Sequence, residues 1–168
     1  MESMILGAVI TDEYKTVLHV NEKFCSLFGL EQTPKELIGM HGDKLVELVM
    51  PSLTHAELTI ERLRNAVHRM QAEEKAEVLL KNGRILLRDY IPIFVGEIHR
   101  GHLLLYRDVT QEKRIDASKS EFMSLASHQL RTPLTAIRWA IGKLGRIIDD
   151  RITPEERVLL KEGRNATL

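Results

Sequence analysis

From Gln111 onward the apolar residues recur at helical spacing without a break. Ile115, Phe122 and Ala126 lead into Leu130, Leu134, Ile137, Ile141, Leu144 and Ile148, which alternate steps of four and three, the spacing of a seam that packs against partner helices. The pattern predicts one long helix from 111 to about 148, with a four-residue phase shift near residue 128. An apolar seam of about 30 residues on one helix is not satisfied by water, so the chain is expected to pair with a second copy of itself. Asp149, Asp150 and Arg151 read as a turn, and Thr153-Pro154-Glu155-Glu156 then supplies an N-cap, a proline at N1 and an acid at N3. That is a capping box announcing a second helix. Val158, Leu159 and Leu160 begin its apolar face, and the helical hairpin is expected to be cut short at Leu168.

The first part of the chain alternates short strand-like and helix-like patterns. LGAVIT and KTVLHV, at 6–11 and 15–20, are β-rich runs separated by the turn formers Asp12 and Glu13 and predict a hairpin. Asn21 is placed to cap a short helix through Phe28 that Gly29 ends. Thr33-Pro34 starts another helix, Lys35 to Ile38, stopped by Gly39, and Asp43 is expected to cap a third that ends before Pro51. A longer amphipathic helix follows from about Ala56 to Gln71, with Leu58, Leu63, Val67 and Met70 on or near one face. AEVLLK, Asn82-Gly83 and RILLRDYIPIF then predict a second hairpin, with a type I′ turn expected at Asn-Gly. GHLLLYR, 101–107, completes a third strand after a loop containing Gly96, and Pro92 is expected at a bulge or strand end. Two strands, a set of short helices and three antiparallel strands make an α+β pattern with a sheet covered on one side.

Composition narrows the class further. The 168 residues are 43% hydrophobic and 29% charged, as in a soluble globular protein with room for two small domains or one domain and an appendage. The 24 Lys and Arg balance 24 Asp and Glu, which argues against nucleic acid as a partner. No apolar run approaches the roughly 20 residues needed to span a bilayer, and no cationic start precedes an apolar leader segment. The single cysteine, Cys25, excludes an internal disulfide framework and reads as a packed thiol in a reducing compartment. A cytoplasmic location is expected, with the parent protein free to be membrane-attached.

The candidate chemistry lies on the long helix. At about 100° per residue, His128 sits roughly 160° around the axis from Leu130, so a helix that buries the seam turns the imidazole to water. Ser124, His128, Thr132 and Thr135 form one polar stripe at i, i+4, i+8 and i+11, with Arg131 beside it. A phosphate attached there would meet hydroxyls and a cation. Pro133 lacks an amide hydrogen and is expected to kink the helix just after the histidine. Trp139 lies roughly 160° from Ile137 and Ile141, which suits both a docking face and packing against the second helix.

FMSLASHQLRTPLTAI, residues 122–137, resembles the H-box of the dimerisation and histidine-phosphotransfer domain of two-component sensor histidine kinases. The resemblance implies that His128 is the phosphoryl acceptor, Arg131 a charge partner for the phosphoryl group, and Thr132 the residue that positions a water for dephosphorylating a response regulator. It also implies a homodimer built as a four-helix bundle of two helical hairpins. One position departs from the family's pattern, because the residue after the histidine is Gln129 where an acid is commonest. A carboxylate accepts the Nδ1 proton and stabilises the developing imidazolium, whereas an amide only orients the ring.

The preceding part, about 1–110, resembles a PAS domain in VNEKFCSLFG, ELIG, NGRILLRDYIPI and the closing Asp108-Val109-Thr110, which looks like the Asp-x-Thr junction that leads from such domains into a following helix. Residues 111–168 are then the signalling helix and the N-terminal part of the phosphotransfer domain. The PAS ligand is left unknown. NEKFCSLFG does not match the cysteine motif of flavin photoadduct domains, and His41, His55 and His68, which lie where haem-bearing PAS domains place an axial ligand, read as surface histidines. Leu27, Phe28, Leu48, Val49 and Ile93 are candidates to line a pocket and equally good candidates for plain core, so no cofactor or metal site is assigned.

Full-length relatives in the kinase family require ATP and Mg²⁺. This sequence shows no P-loop, no Asp-x-Gly-x-Gly element and no asparagine-rich box to hold them. The expected partners are therefore a second copy, a response regulator and the ATP-binding domain of the parent, and this portion alone is expected to be inactive. A competing reading is a non-catalytic dimeric scaffold whose His128 is never phosphorylated. Gln129 and the missing nucleotide site support it.

Overall fold

The computed structural model describes residues 6–148 and 153–165, so the turn expected at Asp149 to Arg151 lies outside the described residues. The chain divides into two units, with the division between Arg114 and Ile115. In the first, β1 (Gly7–Asp12) and β2 (Val17–Val20) are followed by α1 (Glu22–Phe28), α2 (Pro34–Leu37), α3 (Gly42–Val49), a 3₁₀ turn (Met50–Ser52) and α4 (Ala56–Arg69). β3 (Glu73–Leu79), β4 (Ile85–Val95) and β5 (Ile98–Asp108) complete a five-stranded antiparallel sheet in the order β2-β1-β5-β4-β3. The first and last strands thus meet at its centre. α5 (Thr110–Ile148) follows, and α6 (Pro154–Asn165) belongs to the second unit.

The sheet is built from period-two alternation. On β4, Leu86, Arg88 and Tyr90 are buried while Ile85, Leu87 and Asp89 between them are only partly so. The inward face packs with Val9, Val17, Val78 and Tyr106 against Phe24, Leu27 and Phe28 of α1, Leu37 of α2, Leu45 of α3 and Ile60 of α4. Rings of Phe24, Phe28 and Tyr106 meet pairwise at 4.8–5.5 Å between centroids, two of the three contacts edge to face. Helix α1 lies so close to β1 that a Cβ on Gly7 would stand 3.0 Å from the Phe24 Cα. Cys25 is a core residue, and burial pushes its thiol pKa up.

The β1–β2 and β3–β4 hairpins each use a three-residue loop whose last residue is left-handed. In the second, Gly83 N–H donates to Leu80 O, Leu80 N–H donates to Arg84 O, and of the two central residues only Gly83 has positive φ, +81°. This corrects the type I′ expectation, since Asn82 keeps negative φ and its Oδ1 accepts from Arg84 N–H, giving a type I turn with a glycine bulge. The β1–β2 loop repeats the geometry with Lys15 at φ 66°. There Asp12 Oδ1 accepts from Tyr14 N–H at 2.9 Å and Thr16 N–H at 2.7 Å, which delays β2 to Val17.

The cap of α3 is His41, not Asp43. A β-bridge between Thr16 and His41, and the bond from Gly42 N–H to Lys15 O, hold His41 extended, so the helix begins at Gly42 and Asp43 falls inside its first turn. His41 Nδ1 accepts from Asp43 N–H at 3.3 Å. Pro92 sits within β4, one residue before the irregularity at Ile93/Phe94, and past Tyr90 that strand has lost its β3 partner. A residue without an N–H is tolerated on such an edge.

Asn21 ties α1 to the sheet. Its Oδ1 accepts from Phe24 N–H and Ala8 N–H, each at 3.0 Å, and its Nδ2 donates to Leu6 O at 2.8 Å. Asn21→Ala removes the cap and leaves the amide of buried Ala8 without an acceptor, an expected loss of about 2 to 3 kcal/mol in urea unfolding. Asn21→Asp, which keeps the acceptor, is expected to lose less than half of that.

Candidate functional site

Asp108, Val109 and Thr110 join the sheet to α5. Asp108 Oδ1 accepts from Thr110 N–H at 3.0 Å and from its hydroxyl at 2.5 Å, while Thr110 Oγ1 accepts from Ile85 N–H at 2.9 Å. Burial alone would raise the Asp108 pKa, but the Thr110 hydrogen bonds, with Arg84 and Lys23 nearby, outweigh it and hold the carboxyl below its usual range. The first turn of α5 is therefore fastened to the start of β4, and Lys113 adds an ion pair to Glu77 of β3 at 2.5 Å.

Further along α5, His128, Gln129, Arg131 and Thr132 are all exposed. The helix runs unbroken through Pro133, whose missing N–H leaves the Gln129 carbonyl without its helical donor. Thr135 Oγ1 donates to Arg131 O at 2.8 Å, and Thr132 Oγ1 lies 3.5 Å from His128 O, so two hydroxyls lean on the backbone around the proline. The four site residues occupy little more than one turn, with their side chains projecting to solvent and no described side chain bonded to the imidazole. Such a ring is open to a reactive group brought from outside.

Leu130, Leu134 and Ile137 on the other side of α5 are also exposed in the single chain. Trp139 is exposed beside Lys143, whose Nζ stands 5.2 Å from the ring centre. At the start of α6, Thr153 N–H donates to Glu156 Oε2 at 2.8 Å and Glu156 N–H to Thr153 Oγ1 at 3.4 Å, the capping box read from the sequence.

A second group of polar residues, not singled out by the sequence reading, lies inside the first unit. Arg88 is 2% exposed and its Nη2 pairs with the Glu73 carboxylate. His102 is 5% exposed, its Nδ1 3.0 Å from the Tyr90 hydroxyl and its ring 4.6 Å from that of His99. Thr11, opposite His102 in the β1–β5 register, completes the group. Arg88, His102 and Thr11 face a cavity of about 110 Å³ under α3 and α4. Of the residues expected to line a pocket, Phe28 and Val49 do, whereas Leu27, Leu48 and Ile93 do not. Leu27 is consumed by core packing and Leu48 packs on the core from the side. His41, His55 and His68 are exposed and none lines the cavity. The signal available in the sequence was Arg88 itself, a cation at an inward position of an alternating strand.

Burial, together with the electrostatic effect of His99 and Lys15 nearby and opposed by Asp12, lowers the His102 pKa from 6.5 to about 4. Between those values the unfolded chain binds a proton that the folded chain rejects, so the stabilisation is complete above pH 6.5 and is lost as pH falls toward 4. The expected loss is about 3 kcal/mol from pH 7 to pH 4. Urea unfolding across that range, with His102→Gln as reference, measures it; a wild-type minus variant difference that stays flat with pH would refute the assignment.

Residues 3–111 match the family model described as PAS domain. The chain is 28% identical to the Drug sensory protein A of Synechocystis, covering 96% of this chain and 27% of that protein. It is 27% identical to the sensor histidine kinase WalK of Bacillus subtilis, covering 79% of this chain and 20% of that one. A solved structure, the sensor region of a sensor histidine kinase, superposes over 64% of this chain and 40% of that chain with a TM-score of 0.51 at 21% identity, a likeness of fold. The chain thus spans about a quarter or less of the curated relatives it matches. Among the described residues no helix is long and apolar enough to cross a membrane.

Proposed function

The chain belongs to the PAS domain family through residues 3–111, and from that premise we propose that it is the sensory and phosphoacceptor portion of a two-component histidine kinase. The observation that carries this reading is His128 open to solvent on α5, within FMSLASHQLRTPLTAI and opposite the apolar positions Leu130, Leu134 and Ile137. In this reading His128 Nε2 attacks the γ-phosphorus of ATP, a P–N bond forms, and the bond to the leaving ADP oxygen breaks. The phosphoryl group then passes to an aspartate of a response regulator. Arg131 balances its charge while it resides on the imidazole, Thr132 positions water for the reverse reaction, and Gln129 orients the ring. ATP and Mg²⁺ are held by the parent's ATP-binding domain, and the seam of α5 pairs two copies into a cytoplasmic homodimer. Rearrangement in the PAS domain reaches α5 through the Asp108–Thr110 junction.

Gln129 favours a second reading, a dimeric scaffold that is never phosphorylated, because the amide cannot take the Nδ1 proton. One assay separates them. The chain incubated with the parent's ATP-binding domain, ATP and Mg²⁺ should acquire acid-labile phosphate. Absence of label from a dimeric, folded chain favours the scaffold.

A further inference from the structure

Residues 94–100, the tip of the β4–β5 hairpin, reach past both neighbouring strands. β3 pairs with β4 as far as Tyr90, and β1 with β5 as far as Gly101. Beyond those points Phe94 pairs with His99 and Val95 with Ile98 inside the hairpin alone. In an unbroken strand residues three apart face opposite sides. Here the ladder steps from Ile93 and Gly101 to Phe94 and His99, which leaves Arg100 over, and this bulge brings His99 onto the face of His102. The two imidazole rings stand 4.6 Å apart, and the Phe94 ring lies 5.5 Å from that of His99. The tip is thus seated on the sheet through His99 and through the Arg100–Glu13 pair at 4.0 Å.

That seat is a poor place for a proton. His102 Nδ1 is engaged with the Tyr90 hydroxyl, and His99 Nε2 is closed off from water without a hydrogen-bond partner, so a proton added there meets no acceptor. Lys15 from the β1–β2 turn and each imidazole acting on the other disfavour a positive charge, while Asp12 of β1 favours it. Asp12 Oδ1 is already taken by two backbone N–H groups. Across the cavity that His102 lines, Arg88 is paired with Glu73 and Arg64 of α4 with Asp43 of α3. Among the described residues no carboxylate bonds to either imidazole.

We propose that the His99–His102 contact is an acid-sensitive catch, protonation of which lifts residues 94–100 off the end of the sheet while the rest of the first unit stays folded. A lifted tip gives both rings to water, so the released form binds the proton that the seated form refuses, and its share rises as pH falls. The magnitude follows from His102, at about 4 when seated against 6.5 when free, which raises the ratio of released to seated tip by about 10²-fold from pH 7 to pH 4. Local release precedes global unfolding because few contacts cross from the tip to the sheet. The catch is separate from His128 and stands whether or not that residue is phosphorylated.

Hydrogen exchange of the full chain, followed by ¹H–¹⁵N spectra between pH 7 and pH 4, tests it. After correction for intrinsic rates, amides of residues 94–100 should lose about 10²-fold in protection across that range, and at every pH they should open more readily than those of Val78 and Leu86 in the core. His102→Gln should make tip protection flat with pH. His99→Phe, which keeps a ring against His102 without a second imidazole, should shrink the dependence, and it keeps the test open if His102→Gln does not fold. The inference is overturned if the His102 ring titrates while the tip amides keep their protection, if tip and core amides open with equal ease as one global event, or if His99→Phe retains the full pH dependence.

Discussion

His128→Gln is expected to take up no acid-labile phosphate when the parent's ATP-binding domain, ATP and Mg²⁺ are supplied, whereas the wild-type chain does. The substitution keeps a side chain of similar length and polarity on an exposed helical position, so the helix and its apolar seam persist and only the nucleophile is gone. Circular dichroism and sedimentation of the variant check that fold and association survive. The neighbouring residues give graded outcomes on the same reading. Gln129→Glu restores a group able to take the Nδ1 proton and should raise the initial rate, by up to about 10²-fold. Arg131→Ala should slow labelling without abolishing it, and Thr132→Ala should leave labelling intact while slowing loss of phosphate from the regulator. Label that persists in His128→Gln would move the acceptor elsewhere and remove the basis of the proposed function.

How much of this was legible beforehand depends on whether a feature is local. Helix α5 and the Thr153 cap were readable because their determinants lie within a few turns of each other along the chain. The same Thr-Pro-x-Glu pattern occurs at Thr33, where it also forms a capping box, with Thr33 N–H donating to Glu36 Oε2 at 2.7 Å. The succession of strands along the chain was readable from alternation and turn chemistry, whereas the pairing of β1 with β5 was not. Features set by contacts between segments distant along the chain were not readable. His41 rather than Asp43 caps α3 because a bridge to Thr16 fixes its backbone, and no local pattern announces that bridge. The bulge between Glu73 and Ala76, with Lys75 at φ 55°, accompanies the placement of Glu73 against Arg88 from the next strand. Arg88 therefore stands out in the sequence only as a cation at an inward position of a β-run, with no local sign of its partner, although it is among the most buried of the described side chains. The His128 stretch was found for the opposite reason, since its residues are contiguous and need no tertiary contact to be assembled.

Gly101→Ala is expected to destabilise the first unit by about 4 kcal/mol, the largest effect of any single methyl group added to the sheet. Gly101 lies on central strand β5, paired with Asp12 of β1 on one side and Ile93 of β4 on the other. Its φ is +155°, and a Cβ built there would stand 2.1 Å from Thr11 O, a backbone atom that cannot rotate aside. Relief requires β1 to move off β5, and the next pair in that register is Thr11 with His102. The glycine thus permits the close approach that sets Thr11 and His102 side by side on one cavity wall. Gly96→Ala is the control, because Gly96 has φ +63° and open space around it, so its cost should be confined to backbone strain of about 1 kcal/mol. Urea unfolding of both variants tests the difference. At denaturant concentrations where Gly101→Ala remains folded, its Thr11 and His102 resonances should shift while those of α6 do not. Equal stability losses for the two variants would show that the β1–β5 approach is slack and that the cavity wall does not depend on it.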